Sequence, residues 1–298
     1  MTEQKFKAGF VVLAGLPNVG KSTLLNALTG GKLSIVTAKP QTTRQNILAI
    51  RETRGCQAIL VDTPGFLAPM YKLQGTMLEE MRRALKNDAD MVCFVTEPRL
   101  PEPKEEELLK SIEASSLPVI VVINKVDKAK PEEVEKIAAY YQQRLTPAAI
   151  ARTCAMRCEG IKEVFSAVEK LLPEHERYFP QGEWTNRTER FYVAEMIREK
   201  IFLLYKKEIP YSCAVEIETF AEKEGAPDYI RAVIHVERDS QKPILIGSGG
   251  KAIKLLRECA QREIEKFTRR KNRLELFVKV SPDWRNNPRV LKELGYIE

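Results

Sequence analysis

The sequence lacks the features that mark membrane, secreted and metal-rich proteins. No apolar run approaches the roughly 20 residues that a membrane-spanning helix needs, and residues 1–7 are polar with no apolar signal segment after them. The six cysteines show no C-x-x-C spacing and only two histidines accompany them, so we expect reduced, mostly buried thiols rather than a zinc site or disulfides. Heptads and an extended apolar face are also missing, which leaves a monomer as the default. We therefore expect a cytoplasmic protein.

The composition favours two domains and a polyanionic partner. At 298 residues with 44% apolar content, the chain is long enough for a core domain and a second module. Its net charge is +7, and the stretch 241–280, with 11 Lys and Arg against 4 Asp and Glu, carries the same excess by itself. A concentrated basic surface suits a polyanion. An ordinary solvated helix face explains the charge alone equally well.

A glycine-rich stretch at 15–22, GLPNVGKS, organises the first half. It lies between an apolar run at 10–14 that predicts a buried strand and a segment at 23–28 that predicts a helix, which is the setting of a phosphate-binding loop. Backbone N–H groups and the helix dipole would hold phosphates, Lys21 would reach the β and γ groups, and Ser22 would bind Mg²⁺. The alternative is a chance turn between a strand and a helix. The predicted nucleotide-binding residues here are Gly15, Asn18, Val19, Gly20, Lys21, Ser22 and Thr23.

Strands and helices alternate after this loop. Strands are predicted at 46–52, 56–61, 90–96 and 118–123, and helices at 76–89, 104–114 and 161–172. Such βα units give a mostly parallel sheet with helices on both faces, which is an α/β fold. The second strand ends in Asp62-Thr63-Pro64-Gly65, where Asp62 could hold Mg²⁺ through water and the Gly65 N–H could meet a γ-phosphate.

The strand at 118–123 ends in Asn124-Lys125-Val126-Asp127. Asp127 can accept hydrogen bonds from the two guanine nitrogens that adenine lacks, while Asn124 and the Lys125 stem shape the base pocket. A purely structural interpretation makes this segment a polar turn with Asp127 as a helix cap.

These motifs, in this order and at these strand ends, closely resemble those of guanine-nucleotide-binding P-loop G domains. The resemblance places Thr42 and Thr43 in switch I, with Thr43 meeting Mg²⁺ when GTP is bound. It also places Thr153-Cys154-Ala155 at the base, where we expect the Ala155 N–H to reach the base oxygen and give the Cys154 thiol less weight. The predicted metal ligands are thus Ser22, Thr43 and Asp62, and the predicted catalytic groups are Lys21, Thr43 and Gly65.

Two residues bear on the rate of hydrolysis. Phe66 stands where Ras-like proteins have a glutamine that orients the attacking water, and an apolar ring cannot do so. Hydrolysis should then be slow without K⁺, RNA or a partner. Asn18 matches an asparagine that helps to hold K⁺ in several bacterial relatives, although an asparagine also simply suits a turn.

The second half changes pattern beyond a predicted linker at 173–188. Helices are predicted at 189–207, 251–270 and 290–294, and strands at 212–220, 229–236 and 274–280, with a short apolar piece at 243–246 that we interpret as a strand end. This α+β module holds a glycine cluster opening a basic helix, which resembles the loop of a KH domain and implies binding of single-stranded RNA. The predicted RNA-binding residues are Gly247, Ser248, Gly249, Gly250, Lys251, Lys254 and Arg257.

A G domain at 1–172 followed by a KH-type domain at 189–298 resembles the Era family of GTPases over nearly the whole chain. The resemblance implies GTP and Mg²⁺ as ligands, binding of 16S ribosomal RNA near its 3′ end, and a switch role in assembly of the small ribosomal subunit. It leaves open a peripheral contact with the inner face of the cell membrane. Two stretches depart from the family: Ser248 replaces a lysine, and 67–69 replaces a basic stretch. The alternative function is a GTP-binding scaffold with little turnover whose second domain contacts protein.

Overall fold

The computed structural model describes residues 5–66 and 68–297, with the backbone alone at 87 and 88. These residues divide into two compact units. The first holds the described parts of 1–69 and 77–186, and the second holds 70–76 with the described part of 187–298. The division falls between Asn186 and Arg187, inside the predicted linker.

The first unit is built on a six-stranded sheet. Its order is β2-β3-β1-β4-β5-β6, and every pairing is parallel except that of β2 with β3. The predicted mostly parallel sheet is therefore confirmed. The strands are β1 Lys7–Ala14, β2 Ile47–Glu52, β3 Cys56–Asp62, β4 Met91–Thr96, β5 Val119–Asn124 and β6 Ala149–Thr153.

Helices cover this sheet, and their apolar residues form its core. The strands β3, β4 and β5 are buried at every residue, as expected for a parallel sheet covered on both faces. The helices are α1 Lys21–Thr29, α3 Glu106–Ser115, α4 Pro131–Leu145 and α5 Ile161–Leu171, together with α2 Lys72–Arg83, of which 72–76 belong to the second unit. Helices α1 and α5 contact one another, and Arg144 on α4 pairs with Glu106 and Glu113 on α3. Loops at the carboxyl ends of the parallel strands thus meet at one edge.

The segment 173–186 lacks regular secondary structure, as the sequence predicts, but it is bonded to the first unit. The Ile50 N–H donates to the Trp184 carbonyl over 2.8 Å, and the Thr185 hydroxyl donates to the Leu48 carbonyl over 2.7 Å. Gln57 exchanges side-chain hydrogen bonds with the backbone at 178 and 179. The bonds to Ile50 and Leu48 occupy the outer edge of β2, which would otherwise expose unpaired backbone groups.

The second unit is a three-stranded sheet with helices. Its order is β7-β8-β9, with β7 antiparallel and β9 parallel to the central β8. Helices α6 and α9 pack together, α6 against β7 and α9 against β9. The elements are α6 Glu189–Leu204, α7 Ile209–Ser212, β7 Ala214–Ala221, β8 Asp228–Val236, α8 Gln241–Ile246, α9 Lys251–Thr268, β9 Asn272–Val280 and α10 Pro288–Glu293.

Three local predictions need correction. The apolar piece at 243–246 is part of helix α8 and not a strand end. The helix predicted at 76–89 begins at Lys72 and finishes in a π-helical turn, Ala84–Asp88. Helix α4 and strand β6 carried no prediction.

Within 5–66 and 68–297, no helix is long and apolar enough to cross a membrane.

Candidate functional site

The loop between β1 and α1 has glycines where a side chain would not fit. A Cβ on Gly15 would overlap the Val95 carbonyl oxygen, and one on Gly20 would overlap the Asn124 amide nitrogen. Gly20 also has a left-handed backbone, with φ 102°, at the start of α1. The backbone therefore turns tightly at the positive end of a helix dipole, which is a setting for phosphate. Val19 is buried beneath the loop, and Thr23 lies half-buried on α1.

The Lys21 side chain crosses the inside of this loop. Its Nζ donates to the carbonyls of Gly15, over 3.1 Å, and Leu16, over 3.0 Å. Burial lowers the pKa of Lys21 to about 8, against the opposing attraction of Asp62. Anionic phosphate oxygens placed here would favour the charged ammonium, so the loop offers a site that an anion completes.

Hydroxyl and carboxylate groups meet beside the loop, at the end of β3. The Ser22 hydroxyl donates to Asp62 Oδ2 over 2.6 Å and shares a 3.0 Å hydrogen bond with the Thr43 hydroxyl. Thr43 itself lies 3.4 Å from the same carboxylate oxygen. Thr42 instead bonds to the Thr37 hydroxyl and the Lys39 carbonyl within its own loop. The three predicted metal ligands are thus together, and of the two threonines it is Thr43 that faces them.

This cluster fits a divalent cation. Asp62 is fully buried, and its Oδ1 has no hydrogen-bond partner among the described residues. Burial raises the pKa of the Asp62 carboxyl, against the opposing effects of Lys21 and the surrounding hydroxyls. A buried carboxylate oxygen left without a donor is costly, and a cation or its bound water would satisfy it. Carboxylate and water oxygens are the ligands that Mg²⁺ uses.

Asn124 connects the phosphate loop to the predicted base pocket. Its Nδ2 donates to the Val19 carbonyl over 2.9 Å, and its Oδ1 accepts from the Thr153 hydroxyl and the Ala155 N–H, each over 3.0 Å. In this structure the Ala155 N–H is therefore used by Asn124, and its contact with a base oxygen stays a prediction. Asn124 is only 2% exposed, so these bonds are shielded from water.

The remaining base-site groups converge from two loops. The Asp127 carboxylate accepts a hydrogen bond from the Cys154 thiol, which is the main cause holding the pKa of Asp127 below its usual value. Arg157 Nη2 lies 3.9 Å from the same carboxylate. Lys125 Nζ donates to the Asn18 carbonyl and pairs with Glu97. Cys154 thus interacts with Asp127, the residue predicted to recognise guanine. This interaction was not predicted from the sequence.

The position after Gly65 is filled by a buried ring. Phe66 is 5% exposed, and its N–H donates to the Gly15 carbonyl over 3.2 Å. A Cβ on Gly65 would come within 2.6 Å of the Pro17 nitrogen, so β3 and the phosphate loop can approach this closely only at a glycine. Of the departing stretch 67–69, Leu67 lies outside the described residues.

Three residues of the site carried no motif in the sequence. Ser34 donates to Asp62 Oδ2 over 2.8 Å, and Asn26 on α1 holds the Ser34 backbone. Glu97, just after β4, holds the Lys125 ammonium. Ser34 was signalled only by its place in the long loop 30–45 and Glu97 only by its place after a strand, and Asn26 had no signal beyond its place on the predicted helix.

In the second unit, a glycine loop joins α8 to α9. A Cβ on Gly247 would come within 2.6 Å of the Ala252 Cβ, whereas Gly249 and Gly250, at φ 58° and 74°, have open space around them. Exposed side chains follow on α9, and exposed Ile244 and Leu255 lie on the helices on either side of the loop. The exposed predicted residues are Ser248, Gly249, Lys251, Lys254 and Arg257. Backbone open to close approach, with cations beside it, suits a nucleic acid backbone.

Comparison with known proteins supports both halves. A family model described as a 50S ribosome-binding GTPase matches residues 10–125, and a KH domain model matches 208–285. The chain is 49% identical to GTPase Era of Elusimicrobium minutum over 300 aligned positions, covering 100% of this chain and 99% of that protein. It is 43% identical to GTPase Era of Geotalea daltonii, covering 99% and 100%.

Two solved structures are similar over the same length. An Era variant from Aquifex aeolicus bound to GDP·AlF4⁻ superposes with a TM-score of 0.94 at 35% identity, covering 98% of this chain and 100% of that one. A structure of Era in complex with MgGDPNP and nucleotides 1506–1542 of 16S ribosomal RNA gives 0.93 at 36% identity, with the same coverage.

Proposed function

This chain belongs to the Era family of GTPases, and from that premise we propose that it is a GTP-hydrolysing switch in assembly of the small ribosomal subunit, binding 16S ribosomal RNA near its 3′ end. The observation that carries the proposal is that one chain joins the Asp62 cluster, beside a phosphate loop, to an open glycine loop on a basic helix. A relative solved with MgGDPNP and 16S ribosomal RNA supports the same pairing of ligands.

The first unit's residues have distinct roles in this proposal. Lys21 and the loop N–H groups stabilise charge that develops on the phosphates as water attacks the γ-phosphorus. Ser22, Thr43 and Asp62 would hold Mg²⁺, which would stabilise the negative charge of the phosphates. Gly65 offers its N–H to the γ-phosphate. Phe66 is buried and apolar, so it cannot orient the attacking water, and turnover is slow unless another group does so.

We propose that K⁺ accelerates GTP hydrolysis at this site. Asn18 has φ 67°, which suits a turn, and its Nδ2 donates to the Ala38 carbonyl over 3.1 Å. That bond uses the amide nitrogen, and the amide Oδ1 is an acceptor of the kind that a monovalent cation near the phosphates would need. We therefore expect faster turnover in KCl than in NaCl.

Guanine is selected by Asp127, with the Lys125 stem and the Asn124 network shaping the pocket. A carboxylate there bonds the guanine N1 and N2 groups, and an adenine would leave it unpaired. Hydrogen bonding from the Cys154 thiol lowers the pKa of that carboxyl and so favours its ionised form. Release of the switches on hydrolysis would then change how the KH module meets RNA.

We further propose that the protein acts as a cytosolic monomer and that any membrane contact is peripheral. The basic excess at 241–280 supports attraction to a polyanion, and RNA is the one that the glycine loop favours. Co-sedimentation with anionic vesicles and sedimentation velocity test the membrane and monomer statements.

The test measures GTP hydrolysis in KCl and in NaCl, each with and without a single strand copying the 3′ end of 16S ribosomal RNA. We expect stimulation by that strand and none by a scrambled one. Gly249→Asp should remove RNA binding while GTP binding stays unchanged, because this position has room for a side chain and the new charge repels phosphate. A flat response in all four conditions with GTP still bound would instead favour the scaffold.

A further inference from the structure

We infer that Ser34 is a positioning residue that fixes the Asp62 carboxylate toward the magnesium shell. The inference rests on the proposed function, since it assigns a role within Mg²⁺-dependent nucleotide binding. The loop motif, the Asp-x-x-Gly segment and the switch threonines do not include Ser34. It lies near the start of the loop 30–45, nine residues before Thr43 in sequence.

The two oxygens of the Asp62 carboxylate have different surroundings. Asp62 Oδ2 accepts from Ser22 over 2.6 Å and from Ser34 over 2.8 Å, whereas Thr43 is at 3.4 Å. A carboxylate oxygen has about two lone-pair directions, so two short hydroxyl bonds fill Oδ2. Thr43 is then left as a weak third contact. Oδ1 has no donor among residues 5–66 and 68–297 and is the atom available for the metal's bound water.

Ser34 is held firmly enough to act in this way. The Asn26 Oδ1 accepts from the N–H groups of Leu33 and Ser34, over 2.9 and 2.8 Å, and its Nδ2 donates to the Ser34 carbonyl over 2.7 Å. Ser34 is 1% exposed, and its neighbours Leu33 and Ile35 are buried at 7% and 4%. Because Asn26 and Ser22 both belong to α1, one short bond to Asp62 comes from that helix and the other comes from a loop residue that the helix holds.

Removal of this hydroxyl has a specific consequence. With Ser34 gone, Oδ2 keeps one short donor, and the nearest replacement is the Thr43 hydroxyl at 3.4 Å. Asp62 would then rotate more easily, and its Oδ1 would no longer be fixed toward the metal's bound water. This change weakens the hold on Mg²⁺ with GDP as well as with GTP, without touching the phosphate loop or the base pocket.

The experiment follows release of fluorescent GDP from the full chain, in Mg²⁺ and in EDTA. Mg²⁺ slows release only when its protein contacts are intact, so Ser34→Ala should speed release in Mg²⁺ roughly tenfold, the loss of one hydrogen bond to a charged group. The rate in EDTA should equal that of the natural protein. Ser111→Ala is the matched control, because its hydroxyl donates to the Glu107 carbonyl within α3, away from Asp62.

Each other outcome counts against the inference. Equal acceleration in Mg²⁺ and in EDTA would show that Ser34 only supports the loop, and an unchanged Mg²⁺ rate would show that Asp62 does not need it. If Ser34→Ala does not fold, Asn26→Ala is measured instead and should show the same Mg²⁺-specific acceleration by releasing the Ser34 backbone. A natural protein that binds no GDP in either buffer would refute the proposed function, which is a separate result.

Discussion

Replacing Asn124 by alanine should destabilise the first unit and loosen the nucleotide site together. The substitution removes three hydrogen bonds in a 2% exposed position and leaves the Ala155 N–H, the Thr153 hydroxyl and the Val19 carbonyl without this partner. At about 1 kcal/mol for each bond, the free energy of unfolding should fall by about 3 kcal/mol. For a unit of this size that corresponds to a loss of about 6–12 °C in Tm.

The assay is thermal unfolding by circular dichroism, with and without GDP and Mg²⁺. Gln143→Ala is the control, because it removes a side-chain amide at an exposed position on the regular helix α4 and should change Tm by less than about 2 °C. GDP should protect the Asn124 variant less than the natural protein, since its binding pocket is no longer tied to the phosphate loop. A Tm within about 2 °C of the natural protein, with full protection by GDP, would refute the reasoning.

Three further substitutions test single contacts. Cys154→Ala should let the pKa of Asp127 rise toward its usual value, so the loss of GDP affinity as pH falls through that pKa should begin at higher pH, whereas Cys154→Ser should stay close to the natural profile. Titrations of fluorescent GDP from about pH 3 to about pH 5, which span the usual aspartate pKa, measure this, and identical profiles would contradict it. Gly65→Ala brings a methyl within 2.6 Å of the Pro17 nitrogen and should lower kcat for GTP at least about tenfold. Single-turnover hydrolysis at the natural rate would show that the phosphate loop moves to accept the methyl at no cost. Gly247→Ala places a side chain at φ 73° and against the Ala252 side chain, so it should destabilise the second unit by about 2 kcal/mol in urea unfolding. An unchanged urea midpoint would show that α8 and α9 move to accept the methyl.

The chemistry of the first unit was predictable because its signals are local. Each of three short motifs predicts a role from a few neighbouring residues. They are a glycine loop between a strand and a helix, an aspartate at the end of a strand, and an Asn-Lys-x-Asp segment. The parallel sheet then brings these strand ends to one edge, so Ser22, Thr43 and Asp62 meet although 40 positions separate the first from the last. The family resemblance and the fold agree for this reason.

Helix α8 was not predictable in the same way. Four residues, Pro243 to Ile246, are too few to show a period, and an apolar run before a glycine suits a strand end as well as a helix end. The helix is settled by tertiary bonds: the Gln241 amide oxygen accepts from the N–H groups of Glu237 and Arg238 at its start, and the Tyr205 hydroxyl donates to the Leu245 carbonyl. Pro243 is tolerated because the first turn of a helix leaves its N–H groups unpaired.

Ser34, Glu97 and Cys154 mark the limit of motif reasoning at the site itself. Each acts on a predicted residue: Ser34 on Asp62, Glu97 on Lys125, and Cys154 on Asp127, the aspartate predicted to bind guanine. Such partners donate a hydrogen bond to a functional carboxylate or accept one from a functional ammonium. Many positions along a chain can supply a hydroxyl, a carboxylate or a thiol for that purpose. Their identity is therefore fixed by which loops the fold brings together, and a sequence without coordinates names the group that must be held but not the residue that holds it.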